Sequence, residues 1–349
     1  MKLDSEQKRV ELHVHLDGAI RHGTIYDLMR KNDMKLPGDG SFEALSKALT
    51  VTEPIDLANF LKPFGIYIQA LKSLEAAERV AYEFSEEMSK NKVAYAEARY
   101  CPHNFLPENQ KEVSKSTGLK QVVEAVTRGF TRGEEDFGAK VRSILVGFNG
   151  EDSVDDVLKL AHYFKGEGVV GIDMATKQNL GYNPEEVKLN SQAICCYEEA
   201  RKCGIHRTLH AGESGGPEMV QRALEIFHAE RIGHGYHTVE DEKLFQNCLK
   251  DRVHFETCPH SSILTGAVKL NDHKKHPIIR FAENDANFSI SSDDPTVINK
   301  WVDSDYQLLQ EWGLNSHHFK KANLNAAEAC FLPQDEKAQL VETMKKLWT

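Results

Sequence analysis

The chain alternates between two hydrophobic patterns along its length. Eight short runs are rich in β-branched residues and are typical of buried parallel strands. We predict these strands at Val10–Leu16, Val93–Tyr100, Lys140–Phe148, Val169–Met174, His206–His210, Ile232–His234, Val253–Cys258 and Asn287–Ser292. Between them, apolar residues recur with helical spacing at Ser73–Lys90, Gly118–Phe137, Asp152–Lys165, Pro184–Cys203, Pro217–Ala229 and Val239–Lys250.

This alternation predicts the fold class. No hairpin signal joins two successive strands, so we expect the strands to pair in parallel. Eight strand–helix units predict an α/β fold, the (β/α)8 TIM barrel, and an open doubly wound sheet is the structural alternative. No linker separates two domains, so residues 1–349 are expected to form a single domain.

Composition narrows the class of partner. The formal net charge of −10, with acidic and basic residues interleaved, argues against nucleic acid and anionic lipid as partners. The seven cysteines are scattered without C-x-x-C spacing, which is typical of reduced thiols in a cytosolic protein. Residues 1–10 lack a signal-peptide pattern, and no apolar run approaches the roughly 18 residues of a membrane span. We therefore expect a soluble, cytoplasmic protein.

Residues suited to metal binding and proton transfer follow four of the predicted strands. His13 and His15 lie two residues apart in the first strand, so their imidazoles share one face. Alone, such a pair is more often exposed than bound to metal. However, the same strand end carries Asp17, and three other strands end at His210-Ala211-Gly212-Glu213, His234-Gly235 and Asp293-Asp294. Because barrel active sites gather at the carboxyl ends of the strands, these residues predict one site.

A catalytic zinc ion fits this set of residues. Zinc takes imidazole and carboxylate ligands and keeps a position open for water, whose pKa falls towards about 7. The predicted ligands are His13, His15, His210 and Asp293. Glu213, three residues past His210, is the candidate proton shuttle, or else merely a solvated loop residue.

Two further residues complete the predicted chemistry. His234 could orient the attacking hydroxide and stabilise the developing negative charge. Asp294 could accept a hydrogen bond from the substrate, although it precedes Pro295 and could equally be a helix N-cap.

Motifs of several other enzyme classes are excluded. Residues 166–171 match G-x-G-x-x-G, but they follow a helix and lead into a strand, the reverse of a dinucleotide site. The chain also lacks the cytidine-deaminase zinc signature and H-E-x-x-H.

Five segments together resemble the motif set of the adenosine deaminase family, in the same order and over nearly the full chain. They are His13-Val14-His15-Leu16-Asp17-Gly18-Ala19, Thr208-Leu209-His210-Ala211-Gly212-Glu213, Arg231-Ile232-Gly233-His234-Gly235-Tyr236-His237-Thr238, Cys258-Pro259-His260-Ser261-Ser262 and Ser292-Asp293-Asp294-Pro295. The resemblance implies a zinc-dependent (β/α)8 hydrolase of the amidohydrolase superfamily. It would convert adenosine or 2′-deoxyadenosine to the corresponding inosine and ammonia in purine metabolism, with one Zn²⁺ per chain.

The resemblance also implies a role for each site residue. The zinc ligands would be His13, His15, His210 and Asp293. Glu213 would protonate purine N1, His234 and Asp293 would hold the hydroxide, and Asp294 would bind N7. Asp17 matches the acidic residue that contacts the ribose 5′-hydroxyl, and its charge would repel a 5′-phosphate. The expected substrate-binding set is His15, Asp17, Thr176, Asp294, Phe60, Leu61 and Phe64.

The stretch from about residue 38 to 71 is long for a loop between the first two strands. It carries Leu57, Phe60, Leu61 and Phe64 at helical spacing, which is typical of an amphipathic helix packed on the barrel. The family resemblance suggests that this insertion is also a helical lid over the nucleoside pocket.

The chain departs from the family pattern after the fourth strand. The family usually has Asp-Leu-Ala-Gly-Asp-Glu there, whereas this chain has Asp173-Met174-Ala175-Thr176-Lys177-Gln178. The family glycine brings its backbone N–H close to purine N3, so Thr176 is expected to alter affinity or the preferred purine. His260 replaces a tryptophan common in vertebrate relatives, and the loop at 109–117 is shortened.

Two rival functions stay open from the sequence. A related zinc deaminase could act on another 6-substituted purine. Alternatively, the chain could be a non-catalytic nucleoside-binding protein, although that interpretation predicts a lost ligand or a lost Glu213. The small-molecule partner is expected to be a purine nucleoside, and the sequence indicates no partner protein.

Overall fold

Eight parallel strands form one continuous sheet in the order β1 to β8 in a computed structural model. The structure describes residues 7–107, 114–148, 153–175, 191–269 and 275–348. The strands are β1 Arg9–His15, β2 Val93–Tyr100, β3 Lys140–Phe148, β4 Val169–Ala175, β5 His206–Ala211, β6 Arg231–His234, β7 His254–Thr257 and β8 Phe288–Ile290. All eight predicted strands are present, and the predicted TIM-barrel fold is confirmed.

The sheet closes into a barrel just past the end of β8, where the chain pairs with β1. The backbone N–H of His15 donates to the carbonyl of Asp293 over 2.8 Å, and the N–H of Asp293 donates to the carbonyl of His13 over 3.1 Å. These bonds form a parallel bridge between Val14 and Asp293. Closure therefore places Asp293 directly beside the two histidines of β1.

Helices cover the outside of the sheet. Their bounds are α1 His22–Lys31, α2 Phe42–Leu49, α3 Leu57–Phe60, α4 Phe64–Tyr67, α5 Leu74–Lys90, α6 Lys115–Phe137, α7 Ser153–Tyr163, α8 Ser191–Lys202, α9 Pro217–Glu225, α10 Glu242–Lys250, α11 Pro259–Leu264, α12 Pro277–Glu283, α13 Pro295–Ile298, α14 Val302–Glu311, α15 Ser316–Ala329 and α16 Gln334–Leu347. Short 3₁₀ helices occupy Ile68–Leu71, Pro102–Asn104 and Tyr236–Glu240. No helix in the described part of the chain has both the length and the apolar character needed to cross a membrane.

Local capping explains where the helices depart from their predicted bounds. Helix α6 begins three residues before the predicted Gly118 because the side chain of Ser114 accepts the N–H of Thr117 as an N-cap. Helix α10 begins at Glu242 rather than Val239 because Asp241 caps it and the preceding residues form the 3₁₀ turn. The predicted start of α8, Pro184, lies outside the described residues.

The glycine-rich segment at 166–171 connects α7 to β4, so it has the helix-to-strand context expected from the sequence. Gly166 and Gly168 have φ angles of +83° and +95°, which glycine adopts without steric cost. They form the turn before β4 and do not open a helix.

The strands divide their side chains between two environments. Leu12, Val14 and Leu16 in and just after β1 are fully buried within the apolar core. The alternate residues Glu11 and His13 are also fully buried, but they belong to a set of charged and polar side chains from several strands. The closed barrel therefore holds polar groups away from water at the level where the active site begins.

The segment between β1 and β2 folds into α2, α3, α4 and the 3₁₀ turn. Residues 57–64 form two single turns rather than one amphipathic helix, with Pro63 between α3 and α4. Phe60 is fully buried against Val297 and Ile298 of α13. The N–H groups of Val51 and Ile55 each donate to a backbone carbonyl, of Val297 and Leu264 respectively, over 2.9 Å. The segment is thus fastened beside the carboxyl ends of the strands.

Candidate active site and metal centre

A cavity of about 300 Å³ opens at the carboxyl ends of the strands. One side is polar and the other is apolar. The polar residues from the predicted site that line it are His15, Asp17, His210, Glu213, His234, Asp293 and Asp294. The apolar residues from the segment between β1 and β2 are Leu57, Phe60, Leu61, Phe64 and Ile68. The structure therefore brings together residues as far apart in the sequence as His15 and Asp294.

The remaining predicted residues lie elsewhere. His13 is fully buried beneath the cavity, among the other histidines. Thr176 lies outside the described residues, as do Lys177, Gln178 and most of the shortened loop at 109–117. His260 does not line the cavity; its Nδ1 is 3.1 Å from Oδ1 of Asp305, and its backbone N–H donates to the same oxygen.

Each of the four predicted metal ligands has a donor atom close to that of at least one other. Oδ1 of Asp293 is 3.3 Å from Nε2 of His13 and 3.4 Å from Nε2 of His15, and Nε2 of His15 is 3.2 Å from Nε2 of His210. A tetrahedral centre with zinc–ligand distances of about 2.0–2.1 Å requires ligand atoms roughly 3.3 Å apart. These three separations match that requirement.

The buried donor atoms also fit a cation. Nε2 of His13 is completely buried and forms no hydrogen bond with any described residue, which is costly for a polar atom. The donor atoms form two overlapping groups, and within each group all donor atoms lie within 4.8 Å of one another. One group is His13, His210, His234 and Asp293, and the other is His15, Asp293 and Asp294. Asp293 belongs to both groups. These described residues can therefore hold a metal ion.

Buried carboxylates orient two of the histidines from behind. Nδ1 of His13 is 2.8 Å from Oε2 of Glu256, and Nδ1 of His210 is 2.9 Å from Oδ2 of Asp173. A carboxylate can only accept, so Nδ1 carries the proton in each ring and Nε2 presents its lone pair to the metal position.

One arginine joins these two carboxylates. Arg99 donates from Nη1 to Asp173 over 2.9 Å and from Nη2 to Glu256 over 2.6 Å. All three side chains are fully buried, and a second arginine, Arg231, donates to the other oxygen of Glu256 over 2.7 Å. This network was not predicted from the sequence. Charged residues at alternate positions of otherwise apolar strands, such as Glu97 and Arg99, were the available signal.

The candidate proton shuttle, Glu213, lies next to His234 in the wall of the cavity. Oε2 of Glu213 is 3.6 Å from Nε2 of His234, which is 4.0 Å from Oδ2 of Asp293. Burial, aided by the charge of Asp293, raises the pKa of Glu213 to about 8. Burial and the neighbouring His13 hold the pKa of His234 well below its usual value. At neutral pH, Glu213 therefore holds a proton and His234 is neutral.

Two site residues have positive φ angles, which are unusual for any residue other than glycine. His234 and Asp293 have φ angles of +67° and +64°. Such conformations cost free energy and persist where the surrounding structure enforces them, often at active sites. Here β6 ends at His234, and the bridge to β1 fixes Asp293.

Asp294 occupies the N-cap position of α13, but its side chain does not cap the helix. Its Oδ1 is buried and has no hydrogen-bond partner among the residues described above, and a Cβ on Gly18 would lie only 1.9 Å from that oxygen. Burial, together with the charges of Asp293 and Asp17, raises the pKa of Asp294 well above its usual value. The raised pKa favours the protonated carboxyl group, which can donate a hydrogen bond into the cavity.

Asp17 lies at the far side of the cavity and is 5% exposed. Nδ2 of Asn104 donates to its Oδ2 over 2.6 Å, and the backbone N–H of Cys101 approaches the same oxygen at 3.4 Å. Asn104 also lines the cavity and was not predicted from the sequence. No local motif marks it, because its partner is 87 positions away.

Comparison with known proteins gives a consistent result. A family model described as adenosine deaminase matches residues 8–347. The adenosine deaminase of Rattus norvegicus is 42% identical over 348 residues, covering 97% of this chain and 96% of that protein. The adenosine deaminase of Klebsiella pneumoniae is 34% identical over 351 residues, covering 99% of each.

Solved structures share the fold at lower identity. Adenine deaminase from Arthrobacter aurescens has a TM-score of 0.82 at 24% identity, covering 97% of this chain and 98% of that chain. An amidohydrolase from Burkholderia ambifaria, solved with bound zinc, has a TM-score of 0.80 at 22% identity, covering 99% and 95%. Arabidopsis ADAL in complex with IMP has a TM-score of 0.79 at 24% identity, covering 97% and 96%. At these identities the similarity establishes the fold.

Proposed function

The chain belongs to the adenosine deaminase family, and on that premise we propose that it deaminates adenosine at a zinc ion held by His13, His15, His210 and Asp293. As a member of this family, it is a hydrolase that converts adenosine to inosine and ammonia. The observation that supports this assignment of residues is that donor atoms of His13, His15, His210 and Asp293 approach one another to 3.2–3.4 Å in three pairs beside the cavity. Purine metabolism follows from the family.

The identity of the metal rests on the chemistry of its ligands. Three imidazoles and one carboxylate, with separations that suit a tetrahedral centre, are typical of zinc. The zinc-bound neighbour from Burkholderia ambifaria supports the same choice. The chemistry that zinc would supply here is a water molecule whose pKa is lowered towards about 7.

Glu213 would begin the reaction. Its carboxyl group, protonated at neutral pH, would donate a hydrogen bond or a proton to purine N1. Electron density then moves from C6 towards N1, and C6 becomes electrophilic. The raised pKa suits this role because the acid must still hold its proton at the pH of the reaction.

His234 and Asp293 would hold the water that attacks C6. The neutral imidazole of His234 can accept a proton from that water, and Asp293 lies 4.0 Å away with Ser261 donating to its Oδ2 over 2.6 Å. The water oxygen bonds to C6 as His234 takes one of its protons, and that proton passes to the amino group as the C6–N6 bond breaks. The other water proton returns to Glu213, which has given its own proton to N1, and the C6 carbonyl forms. Ammonia leaves and inosine remains.

Two carboxyl groups would fix the nucleoside at its ends. Asp294, protonated, would donate to purine N7 from its unpartnered carboxyl group. Asp17 would accept the ribose 5′-hydroxyl. No lysine or arginine lines the cavity among the described residues, so this described lining offers no counter-charge to a 5′-phosphate beside the carboxylate of Asp17. We therefore expect a nucleoside substrate, whereas the Arabidopsis relative was solved with the nucleotide IMP.

The segment at 38–71 would cover the bound nucleoside. Leu57, Phe60, Leu61 and Phe64 form the apolar side of the cavity. Burying the purine against them removes apolar surface from water and excludes competing solvent from C6.

The direct test is the conversion of adenosine to inosine by purified protein, followed by ultraviolet absorbance, with bound zinc measured in the same sample. We expect turnover that a chelator abolishes and added zinc restores. Stoichiometric zinc without turnover of adenosine would contradict the substrate assignment. In that case, a panel of other 6-substituted purines would identify the preferred substrate.

A further inference from the structure

Within the part of the chain that the structure describes, Asp17 forms no salt bridge with a lysine or arginine, and neutral donors hold its carboxylate. Its Oδ2 receives both the side-chain amide of Asn104 at 2.6 Å and the backbone N–H of Cys101 at 3.4 Å. The first distance is a short, charge-assisted hydrogen bond, and the second is beyond the usual range. Asn104 is therefore the principal donor to Asp17.

The amide of Asn104 is itself held in place. Asn104 is the last residue of the 3₁₀ turn Pro102–Asn104, which follows β2. The backbone N–H of Asn104 donates to the carbonyl of Cys101 over 3.0 Å. Because a carboxylate only accepts hydrogen bonds, the NH₂ group must face Asp17, which settles the orientation of the amide. The 3₁₀ turn thus places the side-chain NH₂ group of Asn104 against Oδ2 of Asp17.

The backbone of Asp17 is anchored separately. Its carbonyl accepts the hydroxyl of Tyr67 over 2.7 Å. With the backbone fixed by Tyr67 and Oδ2 fixed by Asn104, the remaining freedom of the side chain is small. Both of these donors leave the second oxygen, Oδ1, for another partner.

We propose that Asn104 is a positioning residue for ribose recognition, which holds the Asp17 carboxylate so that it accepts the 5′-hydroxyl of the nucleoside. This inference rests on the proposed function and extends it to a residue outside the predicted site. Asn104 thereby sets the preference for a sugar with a free 5′-hydroxyl over one without it. A purely structural role would not depend on that hydroxyl.

The test compares two substrates in two proteins. Asn104→Leu has a similar volume and no hydrogen-bonding group, and 5′-deoxyadenosine lacks only the hydroxyl that Asp17 would bind. We expect the KM for adenosine to rise about tenfold with kcat changed less than about twofold, as for the loss of one positioned hydrogen bond. With 5′-deoxyadenosine, both constants should change less than about twofold. Competitive inhibition by inosine should weaken in the same proportion as adenosine binding, and inhibition by 5′-deoxyinosine should not.

Two further variants serve as controls for misfolding and for the substitution itself. Asn104→Ala only removes atoms and serves if the leucine variant does not fold, as judged by its melting temperature. Asn284→Leu makes the same change at an exposed asparagine and should leave all constants unchanged. Equal losses with the two substrates, or no loss with adenosine, would overturn the role of Asn104. Absence of turnover by the unaltered, zinc-loaded protein would instead overturn the proposed function and this inference with it.

Discussion

Oε2 of Glu256 lies 2.8 Å from Nδ1 of His13, and both side chains are fully buried. The carboxylate fixes the tautomer of the imidazole, so that its Nε2 is available to a metal ion. Arg99 and Arg231 in turn hold the two oxygens of Glu256. The arrangement extends the metal centre into the interior of the barrel.

Replacing Glu256 should therefore weaken metal binding. Glu256→Gln keeps the shape but removes the charge that opposes the two arginines, and we expect zinc affinity to fall about 10- to 100-fold. Competition with a chromophoric chelator measures this affinity directly. Glu240→Gln, at an exposed glutamate on the 3₁₀ turn after β6, is the matched control. Unchanged affinity in the Glu256 variant would show that the carboxylate does not support the metal.

Replacing Glu213 should separate catalysis from metal binding. Glu213→Gln cannot transfer a proton to N1, so we expect kcat to fall by about 10²- to 10⁴-fold while one zinc ion remains bound. Steady-state kinetics and metal analysis of the same preparation test both statements. The nearby Glu218→Gln should retain activity. Near-normal turnover in the Glu213 variant would remove this residue from proton transfer.

His276 should make stability depend on pH. Its Nδ1 accepts the N–H of Ile278 at 3.1 Å, so its Nε2 must donate to Oγ of Ser262 at 2.9 Å, and the ring is neutral. Burial lowers the pKa of His276 to about 3, whereas an unfolded histidine has a pKa near about 6.5. Between these values only the unfolded chain binds the proton. This histidine therefore lowers the free energy of unfolding as the pH falls below about 6.5, and the effect saturates near the folded pKa.

The measurement is urea unfolding of zinc-saturated protein at pH 7.5 and pH 5. His276→Gln removes this titrating group. Between pH 7.5 and pH 5, the free energy of unfolding of the variant should therefore fall less than that of the unaltered protein, by up to about 2 kcal/mol. His317→Gln, at an exposed histidine, should not change the difference. If the His276 variant loses as much stability as the unaltered protein, its imidazole does not stay neutral in the folded state.

Thr176 carries a prediction from the sequence alone, since it lies outside the described residues. If its β-branched side chain crowds purine N3, then Thr176→Gly should lower the KM for adenosine. Steady-state kinetics with adenosine and 2′-deoxyadenosine measure the change, and Thr176→Ser controls for the loss of the methyl group alone. An unchanged or higher KM in the glycine variant would contradict the steric explanation.

Local patterns were sufficient to predict the elements. The period of two in β1 places His13 and His15 on one face, and hydrophobic runs locate the strands, because both depend only on neighbouring residues. The boundaries of α6 and α10 were less accurate, because capping by Ser114 and Asp241 decided them. The interruption at Pro63 similarly replaced one expected amphipathic helix with two short turns.

The sequence by itself determined the barrel and the residue types at its strand ends, since strand and helix periodicity are local properties. Only the tertiary structure decided which side chains meet. Arg99 reaches Asp173 and Glu256 across 74 and 157 positions, and Asn104 reaches Asp17 across 87. Asp294 is an N-cap by position, yet the fold buries its carboxyl group beside Gly18 without a capping bond. Such pairings follow from the closure of the barrel, which brings distant strand ends together, and no local pattern encodes them.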